Sequence, residues 1–499
     1  MPLRQDNIMW DQLIKLSPES KSTLQHQLRE ALVSAILNDQ MPLDRPLPSS
    51  RELAKRLGIA RNTVVLSYQN LVDDGYLCTK ERSGYFVNRE MLEGRVGFEK
   101  MIDIQSESSP DWTVKFKRNP SKQRNIVKPG DWRKYDYPFI FGQPDQSLFP
   151  INEWRECCRQ SLNVSDICSA GYDRFDLDDP ILVEQIQKRL LPRRGVWAKT
   201  EEILVTLGAQ NALYLIANLL TDRTSTVGIE NPGYPDARNI FSVMRSKVVP
   251  IEIDGQGIVP SQTLDECDCV YVTPSHQSPT TVTMPIERRK ILLEQAAASD
   301  FIFIEDDYES ETNFIGEPTP ALKSLDQCGR VIYVGSLSKT LAPGLRLGYM
   351  VGPAELIREA RALRRLMIRH PPANNQRTIA LFLSRGHHDA LIHKQNQIYR
   401  KRWEVMGEAL AKYLPESYKL PTFGGSAFWI EGDEQLDSVE LQNVARKRGV
   451  LIEPGEVFFS RRNPPRNFFR LGYSSIPAEK IEPGIRLLAE LINQQLKSR

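Results

Sequence analysis

The chain has 499 residues, 40% of them hydrophobic and 26% charged. That length suits two or three domains, and the hydrophobic share excludes a chain disordered throughout. A net charge of +2 argues neither for nor against nucleic acid, so any basic patch must be local. No apolar run reaches the ~18 residues of a membrane helix. The first residues lack the apolar stretch of a signal peptide, and the seven cysteines show no paired CxxC spacing. The expected setting is a reducing cytoplasm, with neither a membrane span nor a metal site.

In chain order, the first 90 residues read as short helices followed by a hairpin. Leu24, Leu28, Ala31, Leu32, Ala35 and Ile36 recur at helical spacing within Ser20 to Leu37. Pro42, Pro46 and Pro48 interrupt the pattern. A second helix is predicted from Ser49, where Ser49 and Glu52 have capping-box spacing, and Gly58 closes it. A third runs from about Ala60 to Asp73, and Gly75 stops it. Two short strands follow, Tyr76–Lys80 and Tyr85–Asn88. This is the order of a winged helix-turn-helix.

That order selects candidate DNA contacts. Ser50 and Arg51 begin the second helix, and Arg61, Asn62 and Thr63 begin the third, the recognition helix. Its first turn is where side chains reach base edges and where free N–H groups meet phosphate. Arg82, Ser83 and Gly84 sit at the hairpin tip. A solvated basic face is the plain alternative for Arg51, Lys55, Arg56 and Arg61; the arrangement, not the charge total, favours DNA. Residues 20–88 resemble the GntR family of bacterial regulators through Leu47-Pro48-Ser49-Ser50-Arg51, Leu53-Ala54, Leu57-Gly58, Arg61-x-Thr63-Val64, Tyr68 and Leu71. The family's frequent Gly-Ser-Gly-Thr-Phe wing is Arg82-Ser83-Gly84-Tyr85-Phe86 here.

Residues 91–135 read as a basic linker. Between Pro110 and Tyr135 there are eight Lys or Arg and only two acids, and Pro120, Pro129 and Gly130 discourage regular structure. A solvated tether is the simplest reading; one that also touches DNA phosphate is the sharper one.

From residue 136 to 499, apolar runs at Ile203–Thr206, Thr226–Ile229, Val270–Val272, Phe301–Ile304 and Val331–Val334 alternate with helical stretches such as Gln210–Leu220 and Ile286–Ala298. Alternation predicts an α/β fold with a mostly parallel, doubly wound sheet, and ligands at the carboxyl ends of its strands. Lys339 follows one such strand, with Ser336 and Ser338 beside it and Arg346 seven residues on. A lysine partly withdrawn from water suits a Schiff base with an aldehyde cofactor, and the serines and arginine suit a phosphate ester. Asp306 and Tyr308 alternate along the preceding strand and so share a face. An ionised Asp306 would keep a pyridine nitrogen protonated, and Tyr308 could donate to a phenolate oxygen. An acidic loop or a magnesium site is the alternative for these two alone; Lys339 one strand later decides against it. Gly208-Ala209-Gln210 stands between strand and helix as an anion cradle. Tyr234 offers a ring for stacking, and His276 or Gln277 could reach the phenolate oxygen. Arg470, in Phe468-Phe469-Arg470-Leu471-Gly472-Tyr473, is the candidate for an effector carboxylate.

Residues 136–495 resemble a fold type I aminotransferase, with a smaller C-terminal subdomain. Joined to a GntR-like head, they resemble the MocR subfamily of transcriptional regulators, which includes GabR. The resemblance implies pyridoxal 5'-phosphate as cofactor, held as an internal aldimine on Lys339, with Asp306 at the pyridine nitrogen, Tyr308 at the phenolate oxygen and Tyr234 stacked on the ring. It implies Ser336, Ser338, Arg346, Ala209 and Gln210 at the phosphate. It also implies a head-to-tail, domain-swapped homodimer on a repeated double-stranded DNA operator. In the GABA-responsive branch an arginine two residues beyond the stacking tyrosine helps hold the effector. Here that residue is Asp236, with Arg238 two further on. Another amino compound, or pyridoxal phosphate itself, is the effector this leaves open. The expectation is a bacterial regulator with no required turnover; a working aminotransferase with an appended DNA-binding module is the alternative.

Overall fold

The structure, a computed structural model, describes residues 13–17, 19–20, 22–38, 40–80, 83–91, 110–309, 311–313, 319–415, 417 and 424–498. The chain divides into two compact units, residues 1–115 and 116–499.

In the first unit, helix α1 spans Leu24–Leu37, α2 Ser50–Leu57 and α3 Arg61–Asp73, followed by strands β1 (Leu77–Lys80) and β2 (Gly84–Val87). The first helix begins at the first of its periodic apolar residues, inside the predicted Ser20–Leu37 stretch, because the Thr23 side chain accepts from His26 N and caps it there. Ser49 caps α2 as expected (Glu52 N to Ser49 Oγ, 3.2 Å), but only half the capping box forms. The Glu52 carboxylate instead accepts from Arg56, 2.6 Å away. Gly58 ends α2 at φ 66°, a left-handed conformation that glycine adopts without strain. Leu28, Leu32, Leu53, Val64, Tyr68, Leu71, Leu77 and Val87 are buried together. Each leucine so buried contributes about 1.5–3 kcal/mol. The Tyr68 hydroxyl donates to Pro48 O at 3.0 Å, and Leu47 N to Tyr85 O at 2.7 Å, so the proline-rich connection is tied both to α3 and to the hairpin.

The second unit is built on an eight-stranded sheet. In spatial order its strands are β3 (Ile203–Thr206), β10 (Gly348–Val351), β9 (Val331–Ser336), β8 (Ile302–Asp307), β7 (Cys269–Val272), β4 (Thr226–Asn231), β5 (Lys247–Asp254) and β6 (Gly257–Ile258). The five from β9 to β5 are parallel, while β10 runs against both neighbours. Helices such as Ala209–Leu220 and Ile286–Ser299 connect them, giving the expected α/β layering with cores on both faces. A second, three-stranded sheet joins β11 (Ala427–Glu431), β13 (Phe468–Gly472) and β12 (Glu453–Pro454) near the C-terminus. Strand β8 runs three residues beyond the apolar stretch that marks it in the sequence, because its acids are buried and partnered. Glu305 accepts from Leu322 N and Lys323 N (2.7 and 2.8 Å), and Asp307 from Arg194 Nε and the Tyr333 hydroxyl (2.7 and 2.8 Å).

Part of the predicted linker departs from a solvated tether. Residues 123–128 pack on the second unit. Gln123 Nε2 donates to Asn239 O (3.0 Å), Asn239 Nδ2 to Arg124 O (3.0 Å), and Arg124 Nη2 to Phe459 O (2.8 Å). Ile126 lies against the Trp429, Phe458 and Phe459 cluster. Among the described residues no helix is long and apolar enough to cross a membrane.

Candidate functional site

Five strand ends of the large sheet open onto one cavity of about 330 Å³. It is lined by Ala209 and Gln210 beyond β3, by Tyr234 and Asp236 beyond β4, and by Ser278 beyond β7. Asp306 and Tyr308 reach it from β8, and Ser336, Ser338, Lys339 and Arg346 from β9 and the turn after it. Arg470, from the smaller sheet, and Ile126, Lys128, Phe141 and Gly142, from the N-terminal part of the unit, complete the wall. Of the side chains proposed from sequence for the cofactor and effector, all but His276 and its alternative Gln277 reach this lining. His276 is buried behind it and pushed down to about 4, chiefly by burial, so it sits in the interior as a neutral ring. Ser278, two residues on, takes the lining position.

Lys339 Nζ lies 4.7 Å from the Phe141 ring centroid and 5.8 Å from that of Tyr308. Burial pushes its amine down to about 8; Glu309 opposes this, and the cations Lys128 and Arg470 add to it. At pH 7 roughly a tenth is therefore the free, nucleophilic amine, far more than for an exposed lysine. Gly142, at φ 71°, makes room for it: a Cβ there would stand 2.9 Å from Nζ.

Asp306 accepts from the Tyr271 hydroxyl on Oδ2 (2.8 Å), whereas its buried Oδ1 has no partner among the described residues. Burial pushes this carboxyl up to about 6, against the pull of Tyr271 and Lys339. A buried carboxylate oxygen left unpaired costs free energy, and a cationic N–H donor would satisfy it. At the other end of the cavity Gly208, at φ 79°, precedes the helix Ala209–Leu220, and a Cβ there would lie 3.0 Å from Arg346 Nη2. The guanidinium thus lies against the free N–H groups of a 12-residue helix, a setting for phosphate. Arg346 itself takes φ 48°, uncommon for a residue with a side chain, and donates to Leu207 O at 3.1 Å. Ser338 exchanges bonds with the Leu347 backbone (3.0 and 3.1 Å), fixing the turn that carries Lys339. A cationic ring N–H at one end and a phosphate at the other are what pyridoxal phosphate presents, so this lining fits it.

Asp236 accepts from the Tyr234 hydroxyl at 3.0 Å and from Gln210, so it holds the ring that lines the cavity. Arg238 faces elsewhere, donating to the Val457 and Phe459 carbonyls at 2.9 and 3.1 Å, and burial pushes it down to about 10. Arg470 donates from Nε to Glu453 at 2.9 Å, with its guanidinium 3.9 Å from the Phe141 ring centroid. Lys128, Phe141, Tyr271 and Glu453 escaped the sequence reading. Lys128 reads as linker charge in the sequence, and Tyr271 sits in an apolar strand with nothing to mark it.

The pH dependence of the cofactor-free protein tests Asp306. This carboxyl, ordinarily near 3.8, holds its proton in the folded state until about 6. Its contribution to stability is full below the lower value and is lost as pH rises through the higher one. Urea unfolding midpoints should therefore fall between about pH 4 and 6, and Asp306→Asn should flatten that part of the curve. An unchanged slope would reject the assignment. Glu230 and Glu305, pushed up to about 7 mainly by burial, extend the decline to higher pH in both proteins.

In the first unit Arg51, Arg61 and Asn62 are exposed at the starts of α2 and α3, and Ser50 and Thr63 are half-buried beside them. Arg61 Nε lies 3.4 Å from Ser50 Oγ, so the two helix starts share one edge. Ser83 and Gly84 are exposed at the hairpin tip. Arg82 lies outside the described residues.

Comparison with known proteins follows the same division. Residues 24–87 match the bacterial regulatory proteins of the gntR family, and residues 169–488 match aminotransferase class I and II. The chain is 28% identical over 479 residues to the probable rhizopine catabolism regulatory protein MocR of Rhizobium meliloti, covering 95% of each chain. It is 43% identical over 479 residues to the HTH-type transcriptional regulator TauR of Rhodobacter capsulatus, covering 96% of this chain and 98% of that one. The chain belongs to the MocR-like GntR regulators. This MocR-like regulator shares its larger fold with LysN, the alpha-aminoadipate aminotransferase of Thermus thermophilus, whose structure is complexed with N-(5'-phosphopyridoxyl)-L-leucine. The TM-score is 0.70 at 26% identity, over 78% of this chain and 100% of that one. It is thus a transcriptional regulator with a fold type I aminotransferase domain, a class that typically binds pyridoxal phosphate.

Proposed function

We propose that this regulator binds pyridoxal phosphate at Lys339 and uses it to sense an amino compound, or the cofactor itself, altering its affinity for a double-stranded DNA operator. The observation that carries this reading is the pairing, in one cavity, of a nucleophilic lysine with a buried carboxylate oxygen that lacks a donor among the described residues. When bound, the cofactor supplies an aldehyde that condenses with amines and a protonated ring that accepts electron density. Lys339 is the amine that holds it. Asp306 keeps the ring nitrogen protonated, Tyr271 keeps Asp306 oriented, and Tyr308 offers its hydroxyl to the phenolate oxygen. Arg346, Ser336, Gln210 and the N–H of Ala209 hold the phosphate. An effector changes DNA binding only as far as it binds two states of the protein differently.

The test is absorption of the cofactor-loaded protein, titrated with amino compounds while an operator gel shift is followed. A compound that shifts the spectrum should also shift DNA affinity; a visible band with no linked change in DNA binding would reject the sensing role. The same lining would serve catalysis, and the likeness to LysN favours that second reading. Sustained amino transfer to 2-oxoglutarate at ~1–1000 per second would establish it.

The DNA side of the proposal rests on Arg51, Arg61, Asn62 and Thr63 at the two helix starts, with Ser50, Ser83 and Gly84 beside them, within a cytoplasmic, nucleoid-associated protein. Arg51→Ala or Arg61→Ala should weaken operator binding and lower the salt slope by about one unit each if the contact is to phosphate. An unchanged affinity and slope would remove that residue from the interface.

A homodimer belongs to this reading. Val164, Ile167, Tyr172, Leu177 and Leu366 are exposed apolar residues. The two segments carrying most of them are joined where Arg365 lies 3.8 Å from the Phe175 ring centroid and Arg369 pairs with Asp173. Such a face suits a second copy of the chain, in the head-to-tail, domain-swapped arrangement that the family likeness suggests.

A further inference from the structure

With Lys339, Asp306 and Arg346 assigned to the cofactor, two cations of the cavity wall remain. They are Arg470 and Lys128, and one carboxylate, Glu453, stands between them. Glu453 Oε2 accepts from Arg470 Nε at 2.9 Å, and Oε1 lies 3.3 Å from Lys128 Nζ. Glu453 is buried and is held below the ordinary carboxylate range: burial acts against this, and Arg470 and Lys128 outweigh it. Glu453 thus faces both cations, while Glu309, also buried, acts on Arg470 and Lys339. Arg470 Nη2, 2.8 Å from Oε2, makes no aligned hydrogen bond among the described residues. The guanidinium is fixed between rings, 3.9 Å from the Phe141 centroid and 4.7 Å from that of Phe458. Lys128 Nζ donates to Phe141 O and lies 3.7 Å from where a Cβ on Gly142 would sit, the same point that Lys339 Nζ approaches to 2.9 Å. A quarter of its side chain is still open to solvent (25%).

We propose that Lys128 joins Arg470, the carboxylate candidate already named from the sequence, in seating an anionic group of an effector whose amine reacts at the cofactor. Lys128 provides its half of the seat from the very segment that leads back to the DNA-binding unit. This deepens the sensing role proposed above and rests on it. The segment is already registered on the larger unit. Asn239 Nδ2 donates to Arg124 O and Asn125 Oδ1 (3.0 and 2.8 Å), and Arg124 Nη2 to Phe459 O (2.8 Å). An anion bound by Lys128 adds a ligand-dependent tie two residues beyond Ile126, and so changes how firmly residues 116–128 are held. Binding is thereby reported to the chain that continues to the operator-reading unit, with no need for a pathway through the core.

The test uses the full-length, cofactor-loaded protein and a matched pair of probes, 3-aminopropanoate and 1-aminopropane, which differ in the anion. Spectral titration of wild-type protein should favour the acid by about tenfold or more, as expected for charge-assisted bonds. Lys128→Met should remove most of that preference, read as the ratio of the two responses within the variant, and Lys128→Arg should restore it. Hydrogen exchange should show amides of residues 123–128 slowing with the acid and not with the amine. A preference retained in Lys128→Met, or equal or absent responses to the two probes in the wild type, would overturn the inference. Absence of any cofactor band in wild-type protein would instead reject the sensing function itself, and this inference with it.

Discussion

Replacing Lys339 with alanine is expected to abolish covalent retention of pyridoxal phosphate and every spectral response to amino compounds. The effect is all-or-none because no other lysine amine among the described residues is placed to substitute. Lys128, the other lysine at the cavity, is turned to Phe141 O and Glu453. The Lys339 amine is pushed down to about 8, chiefly by burial, so it reacts near neutral pH where an exposed lysine remains ammonium. Borohydride treatment followed by mass spectrometry should find the cofactor fixed at residue 339 in wild-type protein and nowhere in the variant. Operator binding without effector should persist in Lys339→Ala, because the first unit has its own core. Fixation at another lysine would overturn the site.

The second large effect is on stability. Arg194→Met should destabilise the larger unit by about 3–5 kcal/mol, the cost of leaving a buried charge without its partner. Arg194 Nε meets Asp307 Oδ2 at 2.7 Å, with side-chain exposures of 6% and 0%. Arg194 also donates to Ser275 Oγ and Thr319 O (2.6 and 2.8 Å), so it joins three connections behind the cavity. Denaturant unfolding measures the loss. Adding Asp307→Leu should recover part of it, since the stranded carboxylate is then gone; no recovery would show that the lost packing, not the charge, dominates.

Much of this arrangement was legible in the sequence because it is local. The Lys339 turn, the alternation of Asp306 and Tyr308, and the glycine before the helix at Ala209 each declare their chemistry within a few residues. Helix starts and stops were legible for the same reason, as at Ser49 and Gly58. What stayed hidden depends on distant partners. Glu305 and Asp307 have no role in the sequence until Arg194 and the helix start at Leu322 are seen to partner them, over a hundred residues away in the first case. Lys128 reads as one charge of a basic tether until Glu453 is placed beside it. His276 has the right residue type beyond the right strand, but the chain buries it and turns Ser278 outward.

The neighbouring acids of β8 carry a last consequence. Asp306 is pushed up to about 6, and its Oδ1 has no partner among the described residues. Asp307 lies below the usual range because Arg194, with Tyr333 and Ser275, outweighs its burial. Because adjacent strand residues face opposite sides, sliding β8 by a single position would exchange the two. It would turn a carboxylate meant for the far side, Glu305 or Asp307, onto the ligand chamber. The register of this one strand therefore decides which acid meets the ligand and which meets Arg194.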